Sequence, residues 1–169
     1  MIIVQRQRLL TGLHGRRFNT YFSDNMANLT TPDGTTENRS SWSSYPIGTT
    51  DTWIFRGYFL ADTTSTTWRF RTTSDDASYV WIGSNARASD TSLNTEDAVV
   101  DNGGIHSSRT RSSGAISLTG GVFYPIAIVV GNNTGPGSLT LSWSAGSIYS
   151  SDGDGYFFRN PKALNGYNL

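Results

Sequence analysis

Apolar and polar residues alternate along several runs in the middle of the chain. In the run Thr66–Thr72, a tryptophan and a phenylalanine occupy one parity and two arginines occupy the other. The run Ser138–Trp143 repeats this arrangement with two leucines and a tryptophan on its apolar side. Because successive side chains of a strand point to opposite faces, both runs predict strands with one buried side.

Further apolar runs predict more strands, and each is bounded by turn residues. They are Trp53–Leu60, Ala77–Ile82, Ala115–Leu118 and Val122–Val130. Gly, Ser and Thr interrupt every candidate helical pattern, and the polar stretches 18–46 and 146–169 predict irregular loops with short strands. Short strands separated by turn signals favour two packed sheets. The predicted fold is therefore all-β: an antiparallel, jelly-roll-like β-sandwich with long irregular loops.

The length of 169 residues suits one domain with one sizeable core. We therefore expect a single β-sandwich domain over residues 1–169. The ends of the chain, 1–17 and 146–169, carry apolar residues that a lone sandwich need not bury. We expect them to be arms that contact other copies or other subunits of an assembly.

Composition narrows the classes of partner. Thirteen basic residues balance thirteen acidic ones, so no strong field favours nucleic acid or an anionic membrane surface, and no segment predicts membrane insertion. The absence of cysteine excludes disulfides and thiolate metal sites.

The first ten residues lack an apolar core of signal-peptide length. We expect a location on a virion, such as a phage tail or capsid, or outside the cell at its surface.

Two loops offer hard oxygen ligands of the kind that calcium prefers. In the first, Asp75 and Asp76 stand between two predicted strands. Adjacent strand residues point to opposite faces, so both carboxylates reach one ion only if the backbone departs from strand geometry, as a cis peptide would. The second loop, Asn132–Gly137, follows an apolar strand and offers amide and backbone oxygens. By themselves, such loops are more often ordinary solvated turns.

The order of the motifs between Trp53 and Trp143 adds to this interpretation. The motifs are Trp68–Arg71, Ser74–Gly83, Asp101–His106, Gly121–Ile126 and Gly131–Asn133. Their series resembles the GLEYA and anthrax protective-antigen type of β-sandwich module, which forms the sugar-binding domains of yeast flocculins and epithelial adhesins. The resemblance covers residues 53–144 and lacks the cysteine pairs of many fungal members.

The resemblance implies a calcium-dependent glycan-binding module. In lectin members of the family, adjacent aspartates joined by a cis peptide bind calcium, an Asn and loop carbonyls complete the site, and sugar hydroxyls coordinate the same ion. Carried over to this chain, Asp75, Asp76 and Asn132 are the expected Ca²⁺ ligands. The expected sugar-contacting loop residues are Asn133, Thr134, Gly135 and Gly137. The expected partner is a glycan on a cell surface.

Two other functions compete with this one. The chain could be a structural virion or assembly component that uses the sandwich as a scaffold without binding sugar. Catalysis is the weaker alternative, because no nucleophile motif accompanies His106 and a glycosidase needs carboxyl groups that face each other across a bond. We expect a binding module and not an enzyme.

Overall fold

We describe a computed structural model of the chain over residues 8–62, 66–153 and 155–161. Its strands are β1 (Leu10–Thr11), β2 (Leu13–Phe18), β3 (Thr36–Arg39), β4 (Tyr45–Ile47), β5 (Asp51–Leu60), β6 (Thr67–Asp75), β7 (Ser78–Ile82), β8 (Val100–Asn102), β9 (Arg109–Ser112), β10 (Ile116–Ser117), β11 (Phe123–Asn132), β12 (Gly137–Ser144) and β13 (Phe157–Arg159). Short 3₁₀ helices span Met26–Asn28, Gly83–Arg87, Asp90–Ser92 and Thr95–Asp97. In these ranges we find no helix whose length and apolarity would let it span a membrane.

The strands form two antiparallel sheets, as the alternation predicts. The larger sheet has the order β1-β13-β5-β11-β7-β8, and β2 pairs with both β5 and β3. The smaller sheet has the order β10-β6-β12-β4, and β9 also pairs with β6. The fold is a β-sandwich, and this prediction is confirmed.

The main core lies between the two sheets and is rich in aromatic rings. The ring of Phe59 contacts the rings of Trp68 and Phe70 at 5.0 Å between centroids, and it also packs against Tyr156 and Phe157. The predicted apolar parity of β6 and β12 faces this core. Such edge-to-face contacts between aromatic rings add to the free energy gained from burying them.

A second core covers the outer face of the larger sheet. Its members come from β5, β7 and β11 and from the segments 18–29 and 86–93. Residues 51–59 of β5 are buried on both faces for this reason. The run at 53–60, apolar except for Arg56, is typical of a strand that is covered on both sides.

The ends of the described chain belong to the sandwich itself. β2 pairs with β5 along five residues, and β13 pairs with β5 at Phe157 and Phe158. Leu13 and Phe157 are fully buried in the main core. The chain therefore buries these two apolar residues itself. Residues 1–7 and 162–169 of the expected arms lie outside the described residues. The single domain and its contacts to other subunits stay predictions.

Truncating the central ring of the main core should strongly destabilise the fold. We expect Phe59→Ala to lower the free energy of unfolding by about 3–5 kcal/mol, because it removes buried ring contacts and leaves a cavity. The matched control is Phe123→Ala, whose ring is 39% exposed. Urea denaturation measures both variants, and equal losses would contradict this description of the core.

Candidate functional site

The two candidate loops lie side by side at one end of the sandwich. The first loop connects β6 to β7, and the second connects β11 to β12, so each crosses from one sheet to the other. β6 pairs with β12, and β7 pairs with β11. The backbone N–H of Gly131 also donates to the carbonyl of Ala77 at 2.9 Å. Strand pairing therefore brings two separate parts of the sequence together.

The aspartate pair occupies the first loop, and the peptide bond between Asp75 and Asp76 is cis, as the resemblance implies. Asp76 is buried, and each of its carboxylate oxygens accepts one backbone hydrogen bond: Oδ1 from His106 at 2.8 Å and Oδ2 from Asn133 at 2.9 Å. A carboxylate has about four acceptor positions, so each oxygen keeps a free lone pair. The Asp76 carboxylate is thus oriented by the backbone of two other loops.

Asn132 ends β11 with its side-chain amide fully buried. Its Nδ2 donates to the carbonyl of Gly48 at 2.9 Å and to that of Gly135 at 2.7 Å. These two acceptors identify the NH₂ end, because a flipped amide would place its oxygen against two carbonyl oxygens. Its Oδ1 is buried and accepts no hydrogen bond from the described residues. Leaving such an oxygen unpaired costs about 1–3 kcal/mol, so it needs an explanation.

The second loop is held by a turn that precedes β5. The hydroxyl of Thr49 donates to the carbonyl of Gly135 at 2.9 Å, and the hydroxyl of Thr50 donates to that of Asn133 at 3.1 Å. Thr50 itself has a positive φ of 56°. Neither threonine is predicted from the sequence as part of the site. The available signal was the Gly48–Asp51 turn, but nothing in it indicates a partner so far along the chain.

Glycine is required at the start of β12. A Cβ on Gly137 would lie 2.5 Å from the backbone oxygen of Asp75 and 2.7 Å from Cγ of Asn132. Both distances are well below ordinary van der Waals contact. The close packing of Gly137 therefore brings the backbone of the first loop and the amide of Asn132 together.

The carboxylates near this end of the sandwich differ in how their charge is balanced. Asp51 is buried and forms a bidentate ion pair with Arg17, with hydrogen bonds of 2.7–3.0 Å. The hydrogen bond to Asp51 is the main reason that the pKa of Arg17 is raised. Within the described ranges, Asp75 and Asp76 have no Lys, Arg or His partner within ion-pair distance. Two adjacent anionic groups without a cation favour the binding of one.

A third loop, residues 103–107, lies against Asp76. Besides the bond from His106 to Asp76, the N–H of Gly104 donates to Oδ2 of Asp24 at 2.9 Å. The other oxygen of Asp24 accepts a hydrogen bond from the hydroxyl of Tyr79 at 3.0 Å. Burial and the nearby Asp24 raise the pKa of Tyr79, so it stays a proton donor at neutral pH. The sequence analysis did not single out Asp24, which anchors this loop.

A buried polar network supports the first loop from below. The hydroxyl of Ser78 lies 2.7 Å from that of Ser74 and donates to that of Thr72 at 2.9 Å. The amide of Asn102 donates to Ser74 at 2.9 Å and accepts from Arg109 at 2.8 Å. All four uncharged side chains are buried, so their polar groups need these partners. The network connects β6, β7, β8 and β9 directly under the aspartate pair.

The middle of the chain, with both candidate loops, matches a known protein family. The model of the GLEYA domain matches residues 52–145, which is more than half of the chain. The chain belongs to the GLEYA domain family. The matched range agrees closely with residues 53–144, over which the sequence motifs resemble this family.

Solved structures share the fold of this GLEYA domain at low sequence identity. The PA14 domain of the antifreeze protein MpAFP is 17% identical with a TM-score of 0.68, and the alignment covers 96% of this chain and 100% of that one. The A domain of epithelial adhesin 6 from Candida glabrata, in complex with Galβ1-3GlcNAc, is 13% identical with a TM-score of 0.69 and 95% coverage of both chains. The PA14 sugar-binding domain from an RTX adhesin is 14% identical with a TM-score of 0.64, covering 88% of this chain and 98% of that one. A search of curated protein sequences gave no match.

The GLEYA domain places the predicted sugar-contacting residues around the second loop. Thr134 and Gly135 are exposed at its tip, and Gly135 has a positive φ of 70°. Asn133 is half-buried and Gly137 is buried. Their contact with sugar and the binding of metal by Asp75, Asp76 and Asn132 stay predictions.

The donor set of the site fits a hard cation. The predicted set has two carboxylates and one buried amide oxygen, and such oxygens are the ligands of Ca²⁺. The structure contains no group of three or more His, Cys, Asp or Glu in the ranges described above that could hold a metal ion. The unpaired Oδ1 of Asn132 is the structural feature of the described residues that most favours an ion here.

Adding a methyl group at Gly137 should destabilise the GLEYA domain. We expect Gly137→Ala to lower the free energy of unfolding by about 1–3 kcal/mol, because the new Cβ forces apart the two candidate loops. The matched control is Gly146→Ala, where a Cβ would meet no atom within 4 Å. Thermal unfolding measures both, and an unchanged Gly137→Ala would contradict the close packing of the loops.

Proposed function

We propose that this GLEYA domain is a glycan-binding, adhesin-like module that holds a calcium ion through Asp75, Asp76 and Asn132. The observation that carries the proposal is the buried amide oxygen of Asn132, which has no hydrogen-bond partner in the described structure. The next residue, Asn133, donates its backbone N–H to Oδ2 of Asp76. A cation would give this oxygen a partner and balance the aspartate charge.

Each of the three residues has a separate part in holding the ion. The carboxylates of Asp75 and Asp76 supply the negative charge, and Asn132 adds a neutral oxygen whose direction its Nδ2 bonds determine. The two backbone N–H groups on Asp76 orient its carboxylate, as second-shell hydrogen bonds do at metal sites. When bound, calcium supplies a hard positive centre to which vicinal hydroxyls of a sugar can coordinate.

The second loop is the proposed wall of the sugar site. Thr134 offers an exposed hydroxyl at its tip, and Asn133, Gly135 and Gly137 shape the backbone around it. Thr49 and Thr50 hold two of its carbonyls in place. A loop fixed in this way needs little ordering when it binds, which favours affinity.

The comparisons support a sugar as the ligand. The adhesin A domain with the same fold was crystallised with the disaccharide Galβ1-3GlcNAc, and the RTX adhesin domain is described as sugar-binding. We therefore take terminal galactosides on a cell surface as the first candidates. Display on a virion, such as a phage tail or capsid, or at the cell surface is part of the same proposal.

Binding is a better account of this site than catalysis. His106, the nearest candidate base, has both ring nitrogens within hydrogen-bond distance of carbonyl oxygens, Ser107 at 2.9 Å and Asn102 at 3.2 Å. The aspartates are sequence neighbours, which suits the holding of one ion better than the flanking of a glycosidic bond from two sides.

A structural role in a particle is the second candidate function. Leu10, Val122 and Phe123 are each about 40% exposed. The ring of Phe123 packs against Phe158, a residue of the strand that pairs with β1. Exposed apolar side chains of this kind favour contact with another copy or subunit.

Calcium binding should require the aspartate pair. We expect calorimetric titration of chelator-treated protein to give one site with a dissociation constant of about 10⁻⁴ M, typical of extracellular modules. Asp75→Asn/Asp76→Asn should remove the heat. The control is Glu96→Gln/Asp97→Asn, an exposed pair that loses the same charge at another place.

Glycan binding should follow the ion. We expect signal on an array of galactosides in calcium and no signal in chelator or with the double aspartate variant. Calcium binding without any glycan signal would leave a metal-stabilised scaffold and favour the structural role. Glycan signal that persists in chelator would contradict coordination of the sugar by the ion.

A further inference from the structure

A cavity lies on the outer face of the larger sheet, away from the candidate calcium site. Its volume is about 400 Å³, which is in the range of small-molecule sites. It lies between β2, β5, the loop 29–32 and the segment 87–91. The separation of the two sites can be measured along β5. Asp51 pairs with Asn132 of the candidate calcium site, and Arg56 of the cavity is five positions further along the strand. Five positions correspond to about 17 Å along a strand.

A buried arginine forms part of the cavity wall. Arg56 is 2% exposed. Its Nε donates to Oδ1 of Asp90 at 2.7 Å, and its Nη1 donates to the carbonyl of Ala86 at 2.8 Å. Arg16 pairs with the other oxygen of Asp90. Two guanidinium groups therefore share one carboxylate at this wall.

The charge of the cavity lining is positive. A third arginine, Arg87, lines the mouth and is exposed, whereas Asp90 is the one acidic residue among the lining residues of the described structure. The chain as a whole has no net charge, so this concentration of cations is local. Guanidinium groups bind carboxylate and phosphate groups by paired N–H donors. An anion would therefore be the preferred occupant.

The rest of the wall indicates an organic anion. Phe18 and Leu29 are buried apolar residues of the lining, and Thr30, Ser89 and Thr91 add exposed hydroxyl-bearing side chains. The volume exceeds what a bare inorganic ion needs. Apolar surface and hydroxyls suit the carbon ring and hydroxyl groups of a sugar.

We propose that this cavity binds a small organic oxyanion of the sugar-acid class, with its carboxylate against Arg16, Arg56 and Arg87. Asp90 orients two of the guanidinium groups, and the exposed Arg87 completes the anion contact. The site acts independently of calcium and of the glycan site proposed above.

The test is calorimetric titration of the full chain with sodium glucuronate in the presence of a chelator, so that the calcium site does not contribute. Glucose serves as the neutral control and inorganic phosphate as the second anion. We expect heat with glucuronate and none with glucose. Arg87→Gln should weaken glucuronate binding about tenfold or more, because it removes one charged hydrogen-bond donor.

A second variant keeps the test decisive if Arg87→Gln fails to fold. Ser89→Glu adds a carboxylate at the cavity mouth, and we expect it to abolish glucuronate binding by competing for the guanidinium groups. Arg111→Gln, an exposed arginine on the smaller sheet, is the matched control and should bind as the unmodified chain does. No heat with glucuronate, binding of phosphate alone, or equal affinity in all variants would overturn the proposal.

Discussion

The pairing of β6 with β12 and of β7 with β11 is the constraint on which the candidate site depends. Both loops of the site cross between the sheets at the same end of these four strands. A shift of register by one residue would turn every side chain of a strand to its other face. The position of Asp76 against the second loop is thus set by the whole length of the paired strands, whose alternating apolar residues fill the core.

The carboxylates of the molecule show how the site differs from its surroundings. Asp51 is paired with Arg17, and Asp90 is paired with Arg16 and Arg56. Asp24 accepts from a tyrosine and a backbone amide. Asp76 accepts only backbone hydrogen bonds, and neither Asp75 nor Asp76 forms an ion pair in the described residues. Arginines balance Asp51 and Asp90, whereas the charge of the Asp75–Asp76 pair is left for a cation from outside the chain.

Much of the architecture follows from local patterns in the sequence. The alternation in β6 and β12 correctly predicts which side chains enter the core, because period-two burial is a property of each strand alone. Pairing between strands could not be predicted in this way. Thr49 and Gly135 are 86 positions apart, and Asp24 and Gly104 are 80 apart. Such contacts arise only when the sheets are assembled.

The candidate site was reached from the sequence through the family resemblance and not from the residues alone. An Asp-Asp turn has no local feature that distinguishes a metal site from a solvated turn. The structure adds a physical feature that an ordinary solvated turn does not need. In the buried amide of Asn132, Nδ2 donates two hydrogen bonds, and Oδ1 has no partner in the described structure. The arginine-lined cavity had no sequence signal, because its residues come from four separate segments of the chain.

The most direct test of this account is a crystal structure of the chain grown in calcium and recorded for anomalous scattering. The account predicts one ion within about 2.3–2.6 Å of carboxylate oxygens of Asp75 and Asp76 and of Oδ1 of Asn132. The Nδ2 of Asn132 should still donate to Gly48 and Gly135. No ion at this position, or an ion that leaves Oδ1 of Asn132 unpaired, would contradict the central claim.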